Sequence, residues 1–576
     1  MDHTTPRNPL PLPTPNSPRA PGGELSEARV DRRSVLASLA GLGIGTVAFQ
    51  RALAQQASQS LVVTAEMIQQ AEWVAGLELS EDDRAAVAGR VQSSLNRFEE
   101  MRKVDVGYDV PPALLFSTAP TMQHLATLDR GEVQANLPTI NKPEGDAAIA
   151  FLSVHELASL IRTKQISSVE LTKLYLERLH RFDETLKCVV TFTDELALRQ
   201  AKQADAELAR GNYRGPLHGI PWGAKDLIAY PGYKTTWGAT PFRDQQLDVK
   251  ATVAERLEQA GAVLAAKLSL GALAMGDQWF GGMTRNPWNI EQGSSGSSAG
   301  SASAVAAGLV GFALGSETLG SIVSPCRRCG TSGLRPTFGR VSRYGCMTLA
   351  WSMDKIGPIC RAVEDCALVL GAIHGHDRRD GTAVNQPFSW PMQEDLSALR
   401  VGFIEQPDRP REDRAELQVL QKLGVQLVPI RLPETLPVWA MTIILNTEAA
   451  TVFDELNRNN VTEGLNSWPN SFRQGAFVSA VEYLRANRLR TMLMKQMETL
   501  MAGIDCYVGG DDLALTNLTG HPTAVMPNGF TQQGEQRTPY AITFTGQLFG
   551  ETKLLAVAQA YQQATGHHRE HPTLES

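Results

Sequence analysis

The pattern of apolar and polar positions changes along the chain and predicts two kinds of segment. Residues 64–104 show the spacing of amphipathic helices, and Ser80 with the acidic residues after it marks the start of the second helix. From residue 147 onwards, helical segments alternate with short apolar runs such as 188–193 and 262–270. Short apolar runs between helices are typical of buried strands, so the sequence predicts an α/β fold with a mixed, partly parallel sheet.

The first 54 residues follow the pattern of an export signal. A Pro-rich stretch precedes Arg32 and Arg33, and a weakly apolar, glycine-containing run covers residues 35–49. Paired arginines before such a run are typical of a twin-arginine signal, and the run is shorter than the roughly 20 residues of a membrane span. We therefore expect cleavage after Ala54, a periplasmic or secreted mature protein, and no stable membrane insertion after cleavage.

The change of pattern also divides the chain into three parts. Residues 1–54 form the expected twin-arginine-type signal peptide, residues 60–146 a helical extension with a loop, and residues 147–570 the main domain. The net charge of −7 argues against a nucleic-acid partner, because nucleic-acid-binding surfaces are basic. The seven cysteines are scattered, and no group of His, Cys and Asp residues has the spacing of metal ligands, so we predict neither a metal nor an organic cofactor.

Three segments carry the candidate chemistry. Lys225 ends the apolar run 219–225, where burial disfavours its charge; the segment alone favours an ion pair with Asp226 or another carboxylate. A Gly/Ser run at 293–301 leads directly into an apolar helix, which indicates a structured loop whose backbone N–H groups can hold negative charge. Ser321 directly follows a Thr-Leu-Gly run in the stretch GSETLGSIVSP, which suggests a nucleophile preceded by main-chain donors.

Together these segments resemble the amidase signature family. The family pattern G-G-S-S-G-G-S-A appears as SGSSAGSA at residues 295–302, and T-G-G-S-I appears as TLGSI at residues 318–322. Ser321 lies 24 positions after Ser297, as in the family. The lysine motif GIPWGAKD and the segments CGTSGLRPTFGRVSRYG and WSMDKIGP stand in the family's order. The resemblance covers about residues 147–565 and rests on several motifs, each of which alone would be a weak signal.

The resemblance implies a fold and a catalytic triad. It implies the amidase-signature fold for the domain at 147–570: a central mixed, twisted sheet of many strands with helices on both faces. Ser321 is then the nucleophile that forms an acyl-enzyme, and Ser297, held by a cis peptide bond, links it to Lys225. Lys225 acts as a neutral base, and lowering its pKa from about 10.4 to about 7 takes roughly 4.6 kcal/mol, which desolvation at a strand end can supply.

The same resemblance assigns an oxyanion hole. It is formed by the backbone N–H groups of Thr318, Leu319 and Gly320, together with that of the nucleophile. Leu319 and Ala299 stand where the family commonly has glycine, and Val323 stands where it often has arginine. None of these departures removes a catalytic group, but they weaken any transfer of substrate preference.

We therefore predict an exported amidohydrolase that acts alone on a small-molecule amide. The sequence does not determine its oligomeric state, and a homodimer is one alternative. Three other functions stay open. One is a glutaminase-type subunit of a tRNA-dependent amidotransferase, and another is a non-catalytic binding protein on the same scaffold. The third is an α/β-hydrolase esterase, because GSSAG fits G-x-S-x-G with Ser298 as nucleophile. That esterase would need His521 and either Asp505 or Asp511 as partners.

Overall fold

The short apolar runs form the strands of the fold. In the part of the chain that the structure describes, the strands are β1 (Val189–Phe192), β2 (Pro221–Lys225), β3 (Val263–Leu268), β4 (Gln278–Trp279), β5 (Gly282–Met283), β6 (Arg285–Asn286), β7 (Asn289–Gly293), β8 (Phe312–Glu317), β9 (Ser332–Arg335), β10 (Lys355–Cys360), β11 (Arg400–Ile404), β12 (Gln426–Ile430), β13 (Cys506–Val508), β14 (Thr523–Gln533) and β15 (Gln536–Gly546). Eleven of these form one sheet, in the order β1-β3-β2-β8-β10-β9-β14-β15-β13-β11-β12. Strand β2 is parallel to both of its neighbours, β3 and β8, whereas β8 and β10 are antiparallel. The predicted mixed sheet is therefore confirmed.

Helices connect and cover these strands. They are α1 (Ala65–Ala71), α2 (Glu81–Arg102), α3 (Asp146–Ala150), α4 (Val154–Arg162), α5 (Ser168–Leu186), α6 (Asp194–Ala209), α7 (Thr252–Gln259), α8 (Ala299–Ala306), α9 (Val323–Cys329), α10 (Val363–Ile373), α11 (Ala415–Lys422), α12 (Ile443–Val452), α13 (Asp454–Arg458), α14 (Trp468–Ala476), α15 (Ala480–Met501), α16 (Leu513–Thr519) and α17 (Glu551–Thr565). Two helices, α1 and α2, form within residues 64–104 as predicted, and the Ser80 side chain caps the second.

The burial pattern of the central strands explains why both faces of the sheet are covered. Successive side chains of a strand point to opposite faces. Phe312 and Leu314 of β8 pack into one apolar cluster, and Ala313 between them packs into a second. Helices α4, α7 and α10 contribute to the first cluster, and α5, α8 and α9 to the second. Central strands that are apolar on both faces therefore fix helices on each side.

The computed structural model describes residues 62–106, 113–114, 129–406, 409–510, 512–534 and 536–574. The expected signal at residues 1–54 lies outside these ranges, and the described residues from 63 onwards cluster as one compact unit. Within the described ranges, no helix combines the length and the apolar character needed to cross a bilayer. The same ranges contain no group of three His, Cys, Asp or Glu side chains that could hold a metal ion.

Candidate active site

The topology of the sheet brings the predicted site residues to one edge. Lys225 is the last residue of β2, and Ser321 follows the end of its parallel neighbour β8. Because parallel strands end at the same edge of a sheet, the two segments meet there. Ser297 lies just before α8, and the backbone N–H of Ser298 donates to the carbonyl oxygen of Ser321 at 3.0 Å. This hydrogen bond joins the two serine loops.

Lys225 is fully buried, and serine side chains surround its amine. Its Nζ lies 2.9 Å from Oγ of Ser297, 3.1 Å from Oγ of Ser298 and 2.9 Å from Oγ of Ser316. Burial lowers the pKa of Lys225 from 10.5 to about 7, although the charges of Asp354 and Glu317 act in the opposite direction. A substantial fraction of this amine is therefore neutral near pH 7 and can accept a proton.

The expectation that Lys225 pairs with Asp226 is wrong. The Asp226 carboxylate accepts hydrogen bonds from Lys267 Nζ at 2.6 Å and from the Thr236 hydroxyl and backbone N–H. Lys267 and Asp226 are both fully buried and form an ion pair. The physical reason is the register of β2 and β3: Lys267 is paired with Ala224, and neighbouring residues of a strand point to opposite faces, so Lys267 lies on the face opposite to Lys225. Lys225 is therefore left among hydroxyl groups.

The loop that carries Ser297 has an unusual backbone. The peptide bond between Gly296 and Ser297 is cis, as the resemblance implied. Gly296 is also in close contact with the carbonyl oxygen of Gly276, because a Cβ atom at Gly296 would lie only 1.9 Å from it. Only glycine fits there, since any side chain would overlap the Gly276 backbone. This contact brings the Ser297 loop against a second loop, which contains Gly276.

The segment before Ser321 presents main-chain donors. In the part of the chain that the structure describes, the N–H groups of Leu319, Gly320 and Ser321 donate no hydrogen bond to protein. Gly320 has a φ of 85°, whereas Leu319 is not among the residues with positive φ, so its side chain causes no backbone strain. The Thr318 hydroxyl donates to Asp354 at 2.6 Å and fixes the beginning of this segment. The predicted oxyanion-hole segment can therefore donate to a ligand.

Glu317 is a site residue that the sequence analysis did not identify. One carboxylate oxygen accepts the backbone N–H groups of Ile322 and Val323 at 2.8 and 2.9 Å. The other accepts hydrogen bonds from Arg335 and Asn517, both at 2.8 Å. Glu317 thus connects the end of β8 to the start of α9 and encloses the Ser321 loop between them. The only signal in the sequence is a single acidic residue at the end of an apolar run.

The ion pair of Glu317 with Arg335 is fully buried. Burial alone would raise the pKa of Glu317, but Arg335 and the backbone N–H of Val323 bring it down to about 2. Arg335 also donates to the carbonyl oxygen of His521 and to the Thr523 hydroxyl. The carboxylate is therefore ionised at neutral pH and fully occupied by donors.

The alternative that makes Ser298 a nucleophile lacks its partners. The Ser298 hydroxyl is buried and contacts the Lys225 amine, not a histidine. His521 forms a hydrogen bond with the Thr519 hydroxyl at 2.8 Å, and Asp505 accepts one from a lysine of α17. Asp511 lies outside the described residues. Among the described residues, Ser298 therefore has no histidine base.

Comparisons with known proteins show which family the chain resembles. The sequence profile of the Amidase family matches residues 170–510. A glutamyl-tRNA(Gln) amidotransferase subunit from Moorella thermoacetica is 34% identical, over 74% of this chain and 99% of that protein. Among solved structures, the peptide amidase from Stenotrophomonas maltophilia is similar with a TM-score of 0.64 and 28% identity, over 74% of this chain and 99% of that one. A chain from a structure described as a vestigial protein complex that reveals the evolutionary origins of an s-triazine catabolic enzyme is similar with a TM-score of 0.66 and 26% identity, over 72% of this chain and 99% of that one.

The buried carboxylate of Glu317 leads to a prediction about stability. Glu317→Gln leaves Arg335 buried without a charged partner, so we expect the free energy of unfolding to fall by about 3–5 kcal/mol. The matched control is Asp454→Asn, which removes a carboxylate from a pair with Arg458 whose side chains are 49% and 53% exposed. That change should lower the free energy of unfolding by less than about 1 kcal/mol. Urea denaturation of both variants measures the difference, and equal losses would contradict the assigned role of Glu317.

Proposed function

Because the chain belongs to the amidase family and is an enzyme that hydrolyses amide C–N bonds, we propose that Lys225, Ser297 and Ser321 hydrolyse the carboxamide of a small molecule. The 2.9 Å hydrogen bond between Lys225 Nζ and Ser297 Oγ carries this proposal. It joins a buried amine with a lowered pKa to a hydroxyl on the loop next to Ser321. A base and a hydroxyl within hydrogen-bond distance are the parts that nucleophilic catalysis by serine requires.

The proposed reaction begins with two proton transfers. Neutral Lys225 accepts the proton of Ser297 while Ser297 accepts that of Ser321, and the Ser321 oxygen attacks the amide carbon. The negative charge that forms on the carbonyl oxygen is stabilised by the N–H groups of Thr318, Leu319, Gly320 and the nucleophile itself. The C–N bond then breaks, the protons return along the same path to the leaving amine, and an acyl ester remains on Ser321. Water hydrolyses this ester by the same route and regenerates the serine.

A second candidate function is that of a glutaminase-type subunit of a tRNA-dependent amidotransferase. This function is favoured by the 34% identity to an amidotransferase subunit, because the match covers 99% of that subunit. The same triad would then release ammonia from glutamine for a partner protein. We favour a chain that acts alone, because residues 1–54 follow the pattern of an export signal, whereas tRNA chemistry is cytoplasmic.

Export to the periplasm or the medium is part of the proposal. The support is the paired Arg32 and Arg33 before the weakly apolar run at 35–49. Changing both arginines to lysine should retain the unprocessed protein in the cytoplasm, because the twin-arginine pathway reads the arginine pair. Cell fractionation, with N-terminal sequencing of the mature protein, measures this effect. The assignment would be contradicted if the lysine variant were still found outside the cytoplasm and still cleaved after Ala54.

The triad predicts which serine reacts with a fluorophosphonate probe. We expect one adduct on the peptide that contains Ser321, none in Ser321→Ala, and labelling slowed about 10²–10⁴-fold in Lys225→Ala, because the general base is lost. Peptide mass spectrometry locates the adduct. An adduct on Ser298 that is independent of Lys225 would favour the esterase alternative. If no adduct forms until a partner protein is added, the amidotransferase alternative is favoured.

The lowered pKa of Lys225 predicts the pH dependence of the reaction. The amine must be neutral to accept a proton, and its pKa is about 7, so activity falls as the pH drops below 7. At pH 6 we expect kcat/KM about tenfold below its plateau at high pH, since about one molecule in eleven then has a neutral amine. Circular dichroism across the same pH range controls for unfolding. A flat profile from pH 8 to pH 5.5 would rule out Lys225 as the base.

A further inference from the structure

Helix α2 contacts α14 through polar side chains, and those of Arg473, Gln474 and Ser94 are buried. Arg473 of α14 is almost fully buried, and its guanidinium donates to both carboxylate oxygens of Asp83 in α2. Further along α2, the Ser94 hydroxyl accepts a hydrogen bond from Gln474 Nε2 at 2.8 Å. An arginine buried in this way depends on its carboxylate, because an uncompensated charge in the protein interior is costly. The position of α14 therefore depends on α2.

The amino-terminal end of α14 holds a loop of the catalytic domain, residues 272–278. The indole N–H of Trp468 donates to the carbonyl oxygen of Ala272 at 3.0 Å. The side-chain amide of Asn466, just before the helix, donates to the carbonyl oxygens of Met275 and Gln278, both at 3.0 Å. The same helix is thus bound to α2 through one set of side chains and to the loop through another.

The 272–278 loop has a backbone that needs such support. Leu273 and Ala274 have φ angles of 48° and 60°, in the left-handed region that residues with side chains rarely adopt. Two consecutive residues in this conformation persist only where the surrounding structure holds them, because each is strained. The hydrogen bonds from Asn466 and Trp468 fall on both sides of this pair.

The loop in turn contacts the segment that carries Ser297. The Asp277 carboxylate accepts the backbone N–H of Ser295 at 2.9 Å. The carbonyl oxygen of Gly276 packs directly against Gly296, the residue before Ser297. A continuous series of contacts therefore runs from α2 through α14 and the 272–278 loop to the catalytic serine loop.

We propose that helix α2 is a positioning element of the active site, and that Asp83 and Ser94 are its positioning residues. They act through α14, which keeps the 272–278 loop against the Ser295–Ser297 segment. The match to the family profile begins at residue 170, so α2 lies outside the part of the chain that the profile covers. For catalysis, the inference rests on the proposed function, because it takes Ser297 as a catalytic residue.

The test is Asp83→Asn in the full-length mature protein, with two measurements. Hydrogen exchange followed by mass spectrometry reports the backbone amides of residues 272–278, and we expect it to become about tenfold faster. The rate of fluorophosphonate labelling of Ser321 should fall about tenfold. Asp83→Glu restores the carboxylate, so both the exchange rate of residues 272–278 and the labelling rate of Ser321 should return most of the way to those of the unmodified protein. If Asp83→Asn folds poorly, Ser94→Ala replaces it: this variant removes one of the two acceptors of the Gln474 amide and leaves the Arg90 carbonyl oxygen, so it should loosen the same loop to a smaller degree.

The matched control is Arg102→Gln, which breaks another ion pair between α2 and the body of the protein. Arg102 donates through Nε at 2.9 Å to Glu482 of α15, a buried carboxylate in a helix that does not hold the 272–278 loop. Ser80→Ala is a second control, because Asp83 also accepts the Ser80 hydroxyl at the helix cap. We expect both controls to leave exchange in 272–278 and labelling within twofold of the unmodified protein.

The outcomes test the role of α2 and the proposed function separately. If Asp83→Asn and Arg102→Gln change exchange in 272–278 equally, α2 contributes stability only, and the inference is overturned. If the unmodified protein is never labelled on Ser321, the proposed function fails, whereas the exchange comparison still decides whether α2 holds the loop. Faster exchange with unchanged labelling would show that the support does not reach the catalytic serine, which also overturns the inference.

Discussion

A lysine buried without a carboxylate partner is the constraint on which the candidate active site depends. Two buried carboxylates lie near enough to influence Lys225, but both are occupied by other donors. Asp354 accepts the Thr318 hydroxyl and the backbone N–H groups of Leu349 and Ala350, and Glu317 accepts four donors of its own. Because neither contacts the amine, desolvation is the dominant influence and brings its pKa to about 7. The occupied carboxylates are thus as important for the proposed base as its serine neighbours.

Buried apolar side chains and buried polar side chains stabilise different parts of the structure. The sheet is held by side chains that alternate between two apolar clusters, and these contacts keep β2 and β8 in place. The loops beyond the strand ends are fixed by buried hydrogen bonds and charges instead. A buried ion pair such as Glu317 with Arg335 adds little net stability compared with apolar side chains of similar size, but it imposes a specific geometry on its donors. Here that geometry is the path of the backbone on either side of Ser321.

Polar contacts also fix helix α2, which lies outside the sheet. Its contact with α14 includes a buried arginine and a buried glutamine, both satisfied by side chains of α2. Polar contacts of this kind fix one orientation, because a small shift leaves a charge or an amide without its partner. The 272–278 loop, with two residues of positive φ, lies at the end of this series of contacts. Placement of the Ser297 segment therefore involves parts of the chain far outside the catalytic motifs.

The sequence alone determined the class of fold, the helices α1 and α2, and the three segments that meet at the strand ends. These features depend on local periodicity and on motif spacing, which the covalent chain preserves. The partner of each buried charge, in contrast, depends on how the strands and helices pack. Asp226 binds Lys267, 41 positions away, instead of its neighbour Lys225, and Glu317 binds Asn517 across 200 positions. Such pairs follow from strand order and helix packing, because a hydrogen bond depends on distance in space and not on separation along the chain.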